Sequence, residues 1–375
     1  MSRGDQGRPS IITVVKKRLL KPPDEDGQII LFKVGGQDGR RIDDFGPLIV
    51  AHQPYFFHPG VALKFFLLHS LPVRRKETLF VDSDRLNLAV NLPPPRFGEA
   101  TRMVDLISHP GPLLDLPNPS PKFWEEKFKV IDRHIERLSP ADYPELSSCW
   151  KRFQAVIRPL FQRPLLKETL ASAFLGYSGL PQNFVFLSDL LRGEEFKNFF
   201  LEIRRCGREF AAAFNLALER YRAEFKFRFR NFPFPPLRPG ELPFWRLEAG
   251  KRLPLFEKDI PPGDYFHDTI LPRASALTLF LRLQRRAVLI HGVGGANYEW
   301  IQDRLLERFF LVEPPPYLVV SGTFWAGRFA GRDFPYFFYP PERVRERLDF
   351  VLKASCLTTD GRRTPLADTT PLPIQ

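Results

Sequence analysis

The chain has 375 residues, 43% apolar and 26% charged, with a net charge of +12. That is ordinary globular composition, enough for two or three units of ~150 residues, and no stretch nears the ~18 apolar residues a bilayer span needs. The positive balance selects anionic partners, but the basic residues are spread along the chain instead of forming the stripe that marks nucleic-acid binders, so a small anionic molecule is the expected partner and nucleic acid is not.

The N-terminus, MSRGDQGRPS, is polar and precedes a mostly apolar run at Ile11 to Val15. That run is too short for a signal-peptide core. Cys149, Cys206 and Cys356 are far apart and odd in number, which gives neither a disulfide framework nor a zinc knuckle and fits a reducing cytoplasm. Ile29 to Val34 reads as a strand.

Pro47 to Ala51 is an apolar run suited to a buried parallel strand. The turn His52-Gln-Pro-Tyr-Phe-Phe-His-Pro-Gly60 follows, then a helix over Val61 to Leu71. Thr78 to Asp82 is a second buried strand, ending in Asp82-Ser-Asp84. This order is a βαβ unit. Phe123, Trp124, Phe128, Ile131 and Ile135 then fall at helical spacing. Phe196, Phe200, Ile203, Phe210, Phe214, Ala217 and Tyr221 hold a period near 3.5, interrupted at Gly207. The spacing predicts a helix of ~30 residues over 194–222, ~45 Å long, that projects or pairs with a second copy in a homodimer.

Leu242 to Phe256 suggests a hairpin and Thr269 to Leu283 a helix. Arg286 to Ile290 is a buried strand, His291-Gly-Val-Gly-Gly-Ala-Asn-Tyr298 its turn, Glu299 to Phe310 a helix and Tyr317 to Val320 a strand. The units are 1–118, a first half of an α/β core; 119–230, a helical insertion; 231–340, the second half; and 341–375, a C-terminal helix and tail.

Two strand-to-helix turns carry the chemistry. In a parallel sheet ligands bind outside the carboxyl ends of the strands, and helix N-termini there favour phosphate. His52, Gln53, His58 and Gly60 sit at such a turn, with Lys64 one helical turn on; His52 and His58 are either ligand groups or a cap and a loop tie. Gly292, Gly294 and Gly295 let a backbone approach a second ligand, with Tyr298 to stack or donate. His291 is either a ligand group or a core histidine, and Asp303 is solvated. The spacing is neither a dinucleotide nor a Walker pattern. Asp82 and Asp84 hold Mg²⁺ or orient an amine, or else cap a helix starting at Arg85. Arg273 binds an anion or pairs at the surface with Asp268. In Phe225-Lys-Phe-Arg-Phe-Arg230, aromatic and basic residues alternate as on a half-buried strand or a base-stacking one.

Taken in order, HQPYFFHPGVALK, VDSD, a helical insertion, LPR and HGVGGANYEW resemble the cysteine-adding enzyme family of bacillithiol biosynthesis and its bacterial relatives. That family has a G-Q-Q-x-G-x-x-x-G-P turn followed by a helical lysine, an E-D-H-D strand end, an L-P segment and a G-P-G-E-x-x-Y turn. His52-Gln53, Pro59-Gly60, Lys64, Asp82, Asp84 and Gly292 to Tyr298 stand near those positions. The second turn here lacks Pro-Gly-Glu, and the acidic motif lacks its histidine. The resemblance implies a Rossmann-like, nucleotidyl-transferase-type parallel sheet with a long-helix insertion. It also implies ligation of an amino or thiol compound to an amino-sugar conjugate. The expected enzyme is ligase-like and uses ATP or ADP. Asp82, Asp84 and His52 are its expected catalytic groups. Gln53, His58, Gly60, Lys64, Arg273, His291, the glycine turn and Tyr298 hold its ligands. The alternative is a non-catalytic nucleotide- or metabolite-binding protein, and after it a nucleic-acid-binding one.

Overall fold

A computed structural model describes residues 28–34, 42–54, 58–95, 102–225, 233–261, 266–323 and 340–357. The apolar runs form strands as expected: β1 (Gln28–Val34), β2 (Leu48–His52), β3 (Lys76–Phe80), β10 (Val288–His291) and β11 (Tyr317–Thr323). With β6 (Val185–Phe186) they make one sheet in the order β1-β11-β10-β2-β3-β6. The strands β11, β10, β2, β3 and β6 are parallel, and β1 is antiparallel at one edge. This is a Rossmann-like α/β sheet flanked by helices.

Side chains alternate between the two faces, as the strand period of two requires. Leu48, Val50, Phe80, Val288, Ile290, Leu318 and Val320 share one apolar core with α1 (Pro59–Ser70). The same core takes in α2 (Pro121–Ile135), α3 (Leu146–Ile157) and α4 (Leu166–Ser178). The C-terminal helix α10 (Pro341–Leu357) joins it through Val344 and Leu348. Ile49, Leu79, Leu289, Tyr317 and Val319 share the other core with α6 (Glu194–Arg205), α7 (Gly207–Glu224), α8 (Ala274–Gln284) and α9 (Val293–Arg308). A short helix, α5 (Leu187–Leu191), precedes α6. The segment 119–230 therefore supplies an edge strand to the sheet and helices to both of its faces.

The helix expected over 194–222 is two. Cys206 leaves helical geometry at φ −119° and ψ 33°, and α7 begins at Gly207. A Cβ at Gly207 would run into Glu257 and Leu242, so the glycine lets a neighbouring strand close on the joint. The apolar stripe faces inward: Phe196 lies 5.3 Å from Phe280, and Phe200 lies 5.2 Å from Phe244, between ring centroids. That inward stripe removes the apolar face offered to a second copy.

Two smaller sheets complete the fold. An antiparallel pair joins β4 (Arg85–Leu92) and β5 (Arg102–Pro112). In the other, β7 (Glu241–Glu248) lies between β8 (Lys251–Phe256) and β9 (Ile270–Pro272). Three expectations shift here. A strand, not a helix, starts at Arg85, so Asp82-Ser-Asp84 caps no helix. Ile270–Pro272 is a strand, and helix α8 starts only at Ala274. The glycine turn is the first turn of α9, which begins at Val293. Most of the alternating Phe225–Arg230 segment lies outside the described residues.

Candidate active site

The chain leaves β2 through α1 to reach β3 on one side and leaves β10 through α9 to reach β11 on the other. Strand order reverses between β2 and β10, where an open α/β sheet forms its ligand crevice. A cleft of about 650 Å³ lies there. His52 and His291 end the two hydrogen-bonded strands and both line it. So do Gln53, His58, Gly60, Lys64, Asp84, Arg273, Gly292, Gly294, Gly295 and Tyr298. The N-termini of α1, α8 and α9 all reach this space. Neither α8 nor α9 has a side-chain cap, so their first-turn N–H groups are donors for a ligand.

His58 is the cap of α1, its Nδ1 accepting from Gly60 N at 3.0 Å. His52 Nδ1 lies 2.8 Å from the Gln53 carbonyl. A carbonyl only accepts, so His52 carries its proton on Nδ1, whereas His58 Nδ1 is bare. Burial, and then the Lys64 charge, lower the pKa of both imidazoles, that of His52 to about 3. Both rings are neutral at pH 7. Lys64 is 7% exposed, and burial lowers its ammonium to about 7. Among the described residues no carboxylate pairs with it.

The acidic pair separates. Asp82 is buried away from the cleft, bound by Lys167 Nζ at 2.9 Å and by the Ser188 N–H and hydroxyl at 3.0 and 2.6 Å. It ties α4 and α5 to the end of β3. Asp84 does line the cleft; it accepts from Gln53 Nε2 and Arg85 N and pairs with Arg252 Nη1 at 2.6 Å. With both carboxylates engaged, and no group of three His, Cys, Asp or Glu among the described residues placed for a metal, the donors do not fit a protein-held Mg²⁺. Arg273 pairs with Glu241, not Asp268, and stacks 4.1 Å over Trp245.

Behind His291 lies an ionic cluster. His291 Nε2 is 3.0 Å from Glu299 Oε1, and Arg282 reaches Glu299, Asp303 and the Pro315 carbonyl at 2.6, 2.6 and 2.5 Å. Burial opposes the Glu299 charge, yet Arg282 and His291 hold its carboxyl below the usual range. Burial raises Asp303 to about 6 against the pull of Arg282. Asp303 is thus tied into the ionic cluster by Arg282 with its side chain 25% exposed, rather than standing free in solvent. Burial, with Glu299 nearby, pushes the Tyr298 phenol up to about 12. A Cβ at Gly295 would lie 2.6 Å from His291 Nδ1, so the glycine makes room for the ring at the start of α9.

Sequence reasoning passed over Trp245, Arg252, Ser321, Glu299 and Arg282. Trp245 and Arg252 lie on paired strands of a hairpin that was foreseen, and their approach to the cleft depends on how that hairpin docks. No family model matches the chain, and no curated protein is significantly similar to it. Among the described residues no helix is long and apolar enough to cross a membrane.

Proposed function

We infer that the chain is a ligase-like enzyme that binds a nucleotide, ATP or ADP, or another phosphorylated metabolite at the crevice between β2 and β10. The observation that carries this reading is the convergence of the uncapped N-termini of α8 and α9 on one cleft whose wall holds the uncompensated Lys64. Partial positive charge, free N–H donors and a lysine together suit an anion. The extended backbone at Gly292 and the open space beside Gly294, where a Cβ would meet no atom within 4 Å, leave room for it.

Joining an amino or thiol compound to an amino-sugar conjugate on a nucleotidyl-transferase-type core is the finer reading that the resemblance adds. Asp84, fixed by Gln53 and Arg252 at the cleft wall, suits the orientation of an incoming amine. Thermal-shift measurements with ATP, ADP, CTP and amino-sugar phosphates test the reading. A ligand at 100 times its Kd adds about 2.7 kcal/mol of stability. No shift with any of them, beside steeply salt-dependent RNA binding, would replace it with a nucleic-acid role.

A further inference from the structure

Among the described residues, two buried cations other than Lys64 are paired with carboxylates. Lys167 meets Asp82 at 2.9 Å, and Arg282 meets Glu299 at 2.6 Å. At the cleft wall Arg252 has Asp84 and Arg273 has Glu241. Lys64 is as buried as Lys167 and, among the described residues, has no carboxylate partner. Helical side chains lean toward the N-terminus of their helix. Lys64 therefore directs its amine toward the positive end of α1, into a cleft that also receives the positive ends of α8 and α9. Positive potential and loss of water both disfavour an ammonium there. The cleft it enters has apolar wall in Val61, Leu277 and Ile290. A desolvated lysine near other positive groups is the environment that turns an amine into a nucleophile at neutral pH.

We propose that Lys64 is a covalent site: its neutral amine captures the carbonyl carbon of an anionic aldehyde or ketone as an imine. The proposal rests on the anion-binding reading, which supplies the N–H groups of α8 and α9 for the substrate's phosphate or carboxylate. The lysine nitrogen lone pair adds to the carbonyl carbon, and a proton lost by nitrogen goes to the carbonyl oxygen, giving a carbinolamine. The C–O bond then breaks, the oxygen leaves as water with a second proton from nitrogen, and C=N remains. No oxidant or reductant enters. The lowered affinity of Lys64 for its proton agrees with this role.

Pyridoxal 5′-phosphate is the probe, since it joins an aldehyde to a phosphate dianion. The full chain is incubated with it at pH 7.5, reduced with borohydride and mapped by peptide mass spectrometry. The expected result is one label per chain, on Lys64, suppressed by inorganic phosphate. Pyridoxal, which lacks the phosphate, should label about tenfold or more slowly, the loss of at least one charge-assisted bond. Lys64→Arg, shown to be folded by circular dichroism, should take no label in the cleft. Labels scattered over exposed lysines at the same level in wild type and Lys64→Arg would overturn the proposal. If pyridoxal 5′-phosphate binds and competes with nucleotide but leaves Lys64 unlabelled, the covalent role fails and the anion-binding reading stands. If it neither binds nor labels, both fail.

Discussion

His291 and Glu299 meet across the first two turns of α9, Nε2 to Oε1 at 3.0 Å, and Glu299 is itself held by Arg282 at 2.6 Å. One cleft-lining imidazole thus stands against a carboxylate that an arginine in α8 holds. The site and the core share one ionic cluster, and each member's removal has a separate signature.

Arg282→Met leaves Glu299 and Asp303 without their shared cation. Breaking a buried pair by removing one partner costs about 3–5 kcal/mol, mostly as the stranded charge. Urea denaturation at pH 7.5 should show a loss of that size, and a loss below about 1 kcal/mol would mean that the cluster is wetter than its burial suggests. Part of the loss should return at pH 5, where Asp303 takes a proton.

Asp303 gives a pH dependence of its own. Its folded pKa is raised to about 6, above the unfolded value of ~3.9. Between those values the folded chain holds a proton that the unfolded chain lacks. The stabilisation from this group is therefore full below ~4 and is lost as pH rises through 6. Asp303→Asn should flatten the stability profile between pH 4 and 6 relative to wild type. Parallel profiles in chemical denaturation would count against the raised value.

The strands of the parallel sheet were legible because both faces are covered, which turns Pro47–Ala51 and Arg286–Ile290 into continuous apolar runs. The helix α1 was legible from its position after such a run. Three glycines in seven residues suggest a turn at 292–298, but helix α9 begins at Val293 and takes Gly294 and Gly295 into its first turn, Gly295 because the His291 ring occupies the space its side chain would take. The alternation in Arg85-Leu-Asn-Leu-Ala-Val-Asn-Leu92 does mark a half-buried strand and was passed over. The cleft histidines and Lys64 were readable from local order. Arg282 with Glu299 and Lys167 with Asp82 were not, since those partners are 17 and 85 residues apart and meet only when whole elements dock.

The joint between α6 and α7 is a further test. Gly207→Ala puts a methyl against Glu257 and Leu242. Alanine favours helix by ~1 kcal/mol over glycine, which pulls the other way. Overpacking of this kind costs typically ~1–3 kcal/mol, so the net effect should be destabilising. A stabilised variant would show that the joint has room to merge the two helices into the single one that the residue spacing suggests.

Lys64 separates folding from binding. Its folded pKa is near 7 and its unfolded pKa near 10.5. Between those values the unfolded chain holds the extra proton, so this group makes stability rise with pH from about 7 to 10.5; below 7 its buried charge is a full cost in the folded state. Lys64→Met keeps the volume and removes the charge. The variant should be more stable than wild type at pH 6, and the alkaline rise should disappear. A nucleotide phosphate that reaches the amine itself, unlike one held at the α8 and α9 N–H groups, reverses the account, because an anion at the amine draws the proton back. Wild type should therefore take up close to one proton on binding at pH 8, measured by calorimetry in buffers of different ionisation enthalpy. Lys64→Met should take up none and bind about tenfold or more weakly, the loss of one charge-assisted bond. Equal affinity with unchanged proton uptake would remove Lys64 from the anion site.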